Sequence, residues 1–141
     1  MSTLVGRVFE RRFLNQLDDL GRVIEEAVQF LEEQGVDGQA VYITNLAIEE
    51  MGTNLLKYGY DDAARHQILL RLELQPGTLV LVLEDDGHEF NPLNAPEPDV
   101  HLTAEERDPG GLGIHLVRRL AQDIRYERHE GRNRLTVKIP A

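Results

Sequence analysis

The fold class follows first from residues His66–Leu83, HQILLRLELQPGTLVLVL. In the first half of this stretch, apolar side chains recur at every second position, which is typical of a strand with one buried face. Pro76 and Gly77 then predict a turn, and the apolar run Leu79–Leu83 predicts a second strand that is buried more deeply. Together these segments predict a β-hairpin.

Two amphipathic helices are predicted before the hairpin. From Phe13 to about Gln34, apolar residues recur at steps of three and four, and Gly35 is a suitable residue to end this helix. A second helical pattern runs from about Gly38 to Tyr58 and ends at Gly59. A strand around Leu4 to Arg12 is predicted to open the chain.

The sequence after the hairpin changes character. Residues 84–109 contain nine acidic residues, one arginine and four of the six prolines, which predicts a long exposed loop. Loops of this length in small domains are often lids or binding segments, so a lid is expected over about residues 88–109. A short helix follows the glycines at 110–113, and strands are predicted at about 123–129 and 133–139.

The order of these elements predicts an α/β two-layer sandwich. Strand, two helices, hairpin, loop, helix and two further strands are typical of a mixed, mostly antiparallel sheet with helices on one face. The sequence has no internal repeat and no interdomain linker, and 141 residues fit a single domain, 1–141.

Composition excludes several classes of function. With 25 acidic and 15 basic residues the formal charge is −10, which disfavours direct binding to nucleic acid or to an anionic membrane. The absence of cysteine excludes disulfides, thiolate metal sites and cysteine nucleophiles. No signal-like or membrane-length apolar run is present, so a soluble cytoplasmic protein is expected.

Glu50 and Asn54 are the first candidate site residues. They lie four positions apart on the second predicted helix, and therefore on one face of it. Taken alone, such a pair is typical of a solvated helix edge. A carboxylate and a carboxamide oxygen at this spacing can also orient a hydroxyl or water and bind Mg²⁺, which prefers oxygen ligands.

Asp85 and Gly87 follow directly after the predicted buried strand. Asp and Gly favour ordinary turns, and that is the simplest interpretation of this segment. A carboxylate at the end of a buried strand is, however, well placed to accept a hydrogen bond from an exocyclic amine such as adenine N6. A glycine two residues later would let a flat ring approach the backbone closely.

The glycines at 110, 111 and 113 precede the third predicted helix. Free amide groups and the positive end of a helix dipole favour phosphate binding at such a position. The cluster is not a Walker A loop, because no Gly-Lys-Ser or Gly-Lys-Thr occurs. It is not the dinucleotide fingerprint either, because its spacing differs and it follows a loop.

The three segments in this order resemble one superfamily. Glu50–Asn54 (EMGTN), Asp85–Pro92 (DDGHEFNP) and Gly110–Val117 (GGLGIHLV) are similar to the N, G1 and G2 boxes of the GHKL, or Bergerat-fold, ATPases. The short chain and the Phe-x-Pro in the second segment most resemble the anti-sigma factor serine/threonine-protein kinases. The resemblance extends from Phe9 to Ile139, and it implies the histidine-kinase-like ATPase fold.

The resemblance implies roles for individual residues. It makes Glu50 the catalytic carboxylate and Asn54 the Mg²⁺ ligand. Asp85 would bind the adenine base, and Gly87 would shape the adenine pocket.

Further roles follow for residues nearer the carboxyl end. Gly111 and Gly113 would serve the phosphates, and Thr136 matches a threonine that helps the adenine-binding aspartate and a water hold the base. Arg107 is the single basic residue of the acidic loop. It could reach the γ-phosphate when the lid closes, although a lone loop arginine is more often solvated. The chain departs from the family pattern at Tyr58, where a histidine is common.

The function implied is that of an ATP-dependent serine/threonine-protein kinase and anti-sigma regulatory factor in a partner-switching circuit. Such a protein uses ATP or ADP with Mg²⁺, phosphorylates a STAS-domain antagonist and binds a sigma factor or similar regulator. The alternative is a catalytically weak nucleotide-binding module that sequesters a sigma factor or another regulator. The sequence leaves the oligomeric state open, although the family precedent is a homodimer.

Overall fold

Three helices cover one face of a five-stranded antiparallel sheet in the computed structural model, which describes residues 7–94 and 109–141. The elements are β1 (Arg7–Leu14), α1 (Leu17–Glu33), α2 (Gly38–Tyr58), β2 (Gln67–Gln75), β3 (Thr78–Asp85), a 3-10 turn (Pro92–Asn94), α3 (Pro109–Leu120), β4 (Asp123–His129) and β5 (Arg132–Pro140).

The strand order is β1-β2-β3-β5-β4, and every described neighbour pair is antiparallel. The predicted hairpin is confirmed as β2 and β3, with Gln75 paired to Thr78 across the turn. Gly77 in this turn has a φ of 71°, a conformation that glycine adopts without steric cost. The α/β sandwich is therefore confirmed, and the described strands contain no parallel pair.

Local sequence signals set the ends of the two long helices. Asp37 precedes α2, and its carboxylate accepts a hydrogen bond of 2.9 Å from the backbone N–H of Ala40, which satisfies one of the free amides of the first turn. Gly35, with a φ of 74°, follows the end of α1, and the N–H of Val36 donates to the carbonyl of Leu31. The short connection between the helices lets α1 and α2 pack side by side.

Alternation along the strands separates the two faces of the sheet. One face of the sheet packs against the helices and is almost entirely apolar. The largest fully buried side chains between the two layers come from both strands and helices: Leu20, Leu31, Ile43, Ile48, Ile68, Leu70, Leu72, Leu79, Leu81, Val117, Val137 and Ile139. On β3, Asp85 continues the inward series at the carboxyl end of the strand. A carboxylate is thereby held at the edge of the apolar layer.

Three predicted boundaries were wrong. The first helix begins at Leu17 and not at Phe13, because Phe13 is a buried residue of β1 that pairs with Ile68 of β2. The third helix begins at Pro109, a residue that suits a first helical turn, so the glycine cluster lies inside the helix.

The third boundary concerns the acidic segment. The predicted loop over residues 84–109 is shortened at both ends, since β3 continues to Asp85 and α3 starts at Pro109. Residues 92–94 form a 3-10 turn within it. Most of the expected lid lies outside the described residues, and the same holds for the start of the predicted first strand. No helix in the described parts of the chain is long and apolar enough to cross a membrane.

Candidate functional site

Asp85 is a buried carboxylate whose two oxygens have different surroundings. Its side chain is 3% exposed, and Oδ2 accepts hydrogen bonds from the N–H of Gly87 at 2.7 Å and from Nδ2 of Asn133 at 3.2 Å. Oδ1 has no hydrogen-bond partner in the described part of the chain. Burial raises the pKa of the Asp85 carboxyl, and the donors at Gly87 and Asn133 only partly oppose this effect.

An apolar recess opens in front of Asp85. Its walls come from α2, β3, the segment after β3, β4 and β5, and they consist of Met51, Leu55, Leu83, Phe90, Pro92 and Leu135, with Asp85, Tyr126 and Asn133 as the polar lining. A slot with apolar walls and one acceptor suits a flat heterocycle that carries an amino group.

The turn after β3 packs against the end of α2, and this contact requires a glycine. A Cβ at Gly87 would overlap the backbone carbonyl of Gly59, the residue that ends α2. The N–H of His88 donates to the same carbonyl at 3.1 Å. This close approach joins two segments of the protein's own backbone and fixes the position of the turn relative to α2.

Asn54 presents a carbonyl oxygen from α2. Its side chain is 7% exposed, and Nδ2 donates to the backbone carbonyl of Glu50 at 2.7 Å. This bond occupies the amide nitrogen and leaves Oδ1 without a partner among the residues that the structure describes. A buried amide oxygen in this state is the kind of ligand that Mg²⁺ accepts together with waters and phosphates.

Glu50 lies where α2 meets α3. Its side chain is half-buried, and a Cβ added to Gly113 would overlap the Glu50 carboxyl group. The amino-terminal part of α3, whose free amides and dipole favour anions, therefore lies next to a carboxylate of α2. Gly111 lies in the first turn of the same helix.

Most of the predicted site residues lie on neighbouring segments of the fold. Glu50, Asn54, Asp85, Gly87 and Gly113 lie on segments that contact one another through the recess, the turn at Gly87 and the helix contact at Gly113. Their roles in binding and catalysis remain predictions. Arg107 lies outside the described residues.

Thr136 is not brought to this site. It pairs with Val82 in the sheet, and its neighbours Leu135 and Val137 point into the core, so Thr136 lies on the opposite face. Asn133 is the residue of β5 that pairs with Asp85 and bonds to its carboxylate. The prediction for Thr136 was wrong in placement, because it relied on residue type without the register of the strand.

Sequence reasoning missed three polar residues beside the recess: Asn133, Tyr126 and Arg128. Asn133 is 4% exposed, and its Oδ1 accepts hydrogen bonds from the hydroxyl of Tyr126 and from Nη1 of Arg128. Nη1 of Arg128 also donates to the carbonyl of Gly87 at 2.8 Å. The alternation of β5 could have revealed Asn133, since it places a polar residue in line with Leu135, Val137 and Ile139.

Comparison with known proteins gives consistent relatives. The chain is 25% identical over 96 residues to the serine/threonine-protein kinase BtrW of Bordetella bronchiseptica, covering 68% of each chain. It is 23% identical over 91 residues to the serine-protein kinase RsbW of Bacillus subtilis, covering 61% of this chain and 56% of the relative. A 22% match to the anti-sigma F factor of Shouchella clausii covers 53% of that protein. The matched part is thus little more than half of these last two relatives.

A solved structure supports the same fold. The crystal structure of the RsbU and RsbW domains of a Mycobacterium tuberculosis protein matches with a TM-score of 0.68 at 16% identity, over 95% of this chain and 32% of the other. The family of histidine kinase-like ATPase domains matches residues 13–139. Since that match spans nearly the whole chain, the protein belongs to the histidine kinase-like ATPase domain family, as the three sequence boxes indicated.

Proposed function

We propose that the protein is an ATP-dependent serine/threonine-protein kinase and anti-sigma regulatory factor that phosphorylates a STAS-domain antagonist in a partner-switching circuit. The observation that carries the proposal is that α2, which bears Glu50 and Asn54, contacts both the turn at Gly87, next to Asp85, and the amino-terminal part of α3. Membership of an ATPase family implies that the nucleotide is ATP or ADP.

In this proposal Asp85 binds the adenine base. Asp85 lines the recess, and its Oδ1 has no partner among the described residues, so it can accept a hydrogen bond from the exocyclic amino group. Met51 and Leu55 from α2 and Phe90 from the following segment supply apolar surface for the ring.

Asn54 holds the metal in this proposal. Its Oδ1 is a buried acceptor without a partner in the described residues, and Nδ2 is tied to the backbone of Glu50, so the carbonyl keeps its direction. A bound Mg²⁺ would neutralise charge on the phosphates and favour loss of the terminal phosphoryl group. The free amides of the first turn of α3, which include that of Gly111, would bind phosphate oxygens, and Gly113 would serve the phosphates by leaving room at this end of the helix.

Glu50 orients the attacking group. Its carboxylate accepts a hydrogen bond from the hydroxyl of the target serine or threonine. The hydroxyl oxygen forms a bond to the γ-phosphorus, the bond from that phosphorus to the bridging oxygen of ADP breaks, and the hydroxyl proton passes to Glu50. Positioning of this kind suffices for phosphoryl transfer, because little further covalent chemistry is required of the protein.

The partners are proposed from the names of relatives. A serine-protein kinase and an anti-sigma factor both match this chain. We therefore expect a STAS-domain protein as the phosphorylation target and a sigma factor or similar regulator as the sequestered partner.

The test uses labelled ATP, Mg²⁺ and a STAS-domain protein encoded beside the gene. Glu50→Gln should retain ADP binding and lose at least about a hundredfold in transfer rate, the usual contribution of a positioned general base. Glu49→Gln is the matched control, because Glu49 is the exposed neighbour on the same helix and should leave transfer unchanged.

The two candidate functions give different results in this experiment. Transfer that depends on Glu50 supports the kinase. Tight ADP binding and partner capture without transfer by the wild type would favour the sequestering module. Unimpaired transfer by Glu50→Gln would refute the proposed role of Glu50.

A further inference from the structure

Asn133 is a buried polar side chain at the position where β5 pairs with the end of β3. It is 4% exposed, and its Cα partner in the sheet is Asp85. A buried amide without partners costs free energy, so its hydrogen bonds indicate what it does in this fold.

Every hydrogen-bonding group of the Asn133 side chain is used. Nδ2 donates to Oδ2 of Asp85 at 3.2 Å and to the carbonyl of His88 at 2.8 Å. Oδ1 accepts from the hydroxyl of Tyr126, from Nη1 of Arg128 at 3.1 Å and from the N–H of Phe90 at 3.3 Å.

This arrangement permits only one orientation of the amide. If the group were flipped, its NH₂ would face the N–H of Phe90 and the guanidinium of Arg128, and its oxygen would face the Asp85 carboxylate and the His88 carbonyl. Each contact would then join two donors or two acceptors. The amide therefore always presents a donor to Asp85.

The donor fixes the direction of the Asp85 carboxylate. Oδ2 is held by Asn133 and by the N–H of Gly87, and Oδ1 is the oxygen left for a ligand. A single, oriented acceptor matches an amino group at position six of a purine. The same oxygen disfavours a carbonyl at position six, because two hydrogen-bond acceptors would then face each other.

We propose that Asn133 is a positioning residue for base selection: through its contacts with Tyr126, Arg128 and Phe90 it holds Asp85 so that 6-aminopurine nucleotides are preferred over 6-oxopurine nucleotides. This inference rests on the proposed nucleotide site. It assigns the selectivity to a hydrogen-bond network on the β4 and β5 hairpin and not to Asp85 alone.

The test compares the dissociation constants of ADP and inosine diphosphate by calorimetry. For the wild type we expect tighter binding of ADP. Asn133→Ala should weaken ADP about tenfold, in line with the loss of a hydrogen bond to a charged group, and should weaken inosine diphosphate less. The selectivity ratio therefore falls. Arg134→Ala, the next residue on the outer face of β5, should leave the ratio unchanged.

Asn133→Asp keeps the shape of the side chain and is the second variant. Two adjacent carboxyl groups cannot both ionise readily, so one of them takes up a proton. The protonated pair can donate to a 6-oxo group, and the preference for ADP should fall further as the pH is lowered. A role in folding alone would not produce this dependence on pH and base.

The outcomes separate this inference from the proposed function. If the wild type binds neither nucleotide, the proposed function fails and the inference fails with it. If the wild type prefers ADP and both Asn133 variants keep its ratio, only the positioning role is overturned. Should Asn133→Ala fail to fold, the ratio and pH dependence of Asn133→Asp decide the question alone.

Discussion

Gly113 of α3 lies against the carboxyl group of Glu50 on α2, so closely that no Cβ fits between them. The absence of a side chain at residue 113 lets the start of α3 approach the proposed catalytic carboxylate. A glycine predicted to serve the phosphates thus also determines where Glu50 can lie.

Gly113→Ala should therefore lower the rate of phosphoryl transfer clearly, while the free energy of unfolding changes little. The atoms that a Cβ would meet belong to the flexible end of Glu50 and not to backbone, so the carboxylate would move while the fold persists. We expect a loss of at least about tenfold in transfer rate, because misplacement by about 1 Å has effects of this size. Gly21→Ala is the control, since nothing lies within 4 Å of a Cβ there, and alanine should stabilise α1. Equal transfer rates in the two variants would contradict this account.

Asp85→Asn should weaken ADP binding by about tenfold or more, because the acceptor in the recess becomes a donor. The unliganded protein should not lose stability at neutral pH. Burial raises the pKa of Asp85, so its ionised form costs stability above the folded pKa, and this cost disappears as the pH falls towards the unfolded value of about 3.9. Denaturant unfolding should give a higher free energy of unfolding for Asp85→Asn than for the wild type at neutral pH, and this difference should narrow at low pH.

Glu84→Gln serves as the control for this variant. Glu84 is the preceding residue of β3 and lies on the outer face of the sheet, where it forms an ion pair with Arg132. Its replacement should leave ADP affinity unchanged. An Asp85→Asn protein with wild-type ADP affinity would refute the assignment of the base-binding carboxylate.

Thr136→Val should leave nucleotide affinity unchanged, because Thr136 lies on the sheet face opposite the recess. Calorimetric titration with ADP is the measurement. A clear loss of affinity would indicate that Thr136 takes part in binding the base and would contradict its place on the outer face of β5.

The contrast between Thr136 and Asn133 shows which parts of the fold and of the site the sequence could predict. The hairpin followed from period-two alternation, and α2 followed from helical periodicity with Asp37 and Gly59 at its ends. Asp85 and Gly87 could be chosen because they directly follow an apolar strand. The choice between Thr136 and Asn133 depended on which face each residue occupies, and that face is set by pairing with β3, a distant segment.

The lengths of elements were harder to predict than their existence. Phe13 fits the helical pattern of the residues that follow it, but pairing with Ile68 draws it into β1. Long-range sheet formation overrides local periodicity at such a boundary. Contacts such as that of Gly113 with Glu50 join separate segments and have no local signal at all.

His66 forms a charge-dependent link between the loop that follows α2 and the turn after β3. Its Nε2 lies 2.8 Å from Oδ1 of Asp62, its Nδ1 lies 3.1 Å from Oδ1 of Asp86, and its ring stacks on Tyr60. The hydrogen bond with Asp62, supported by Asp86, raises the pKa of His66. This stabilisation is fully present below the unfolded pKa of about 6.5 and is lost as the pH rises through the higher folded pKa.

His66→Gln should accordingly lower the melting temperature more at about pH 6 than at about pH 8.5. Thermal unfolding of both proteins at the two pH values is the measurement. A difference that stays constant with pH, or that grows as the pH rises, would contradict the charged link.

The most direct test of the shared site is a map of backbone amide chemical shifts on addition of ADP with Mg²⁺. We expect shifts concentrated at residues 50–55, 85–90 and 111–114, with little change at residues 69–73, where alternate side chains form the outer face of the sheet. A protein that shows no shifts, or shifts centred on that outer face, would contradict the claim that these three segments bind one nucleotide.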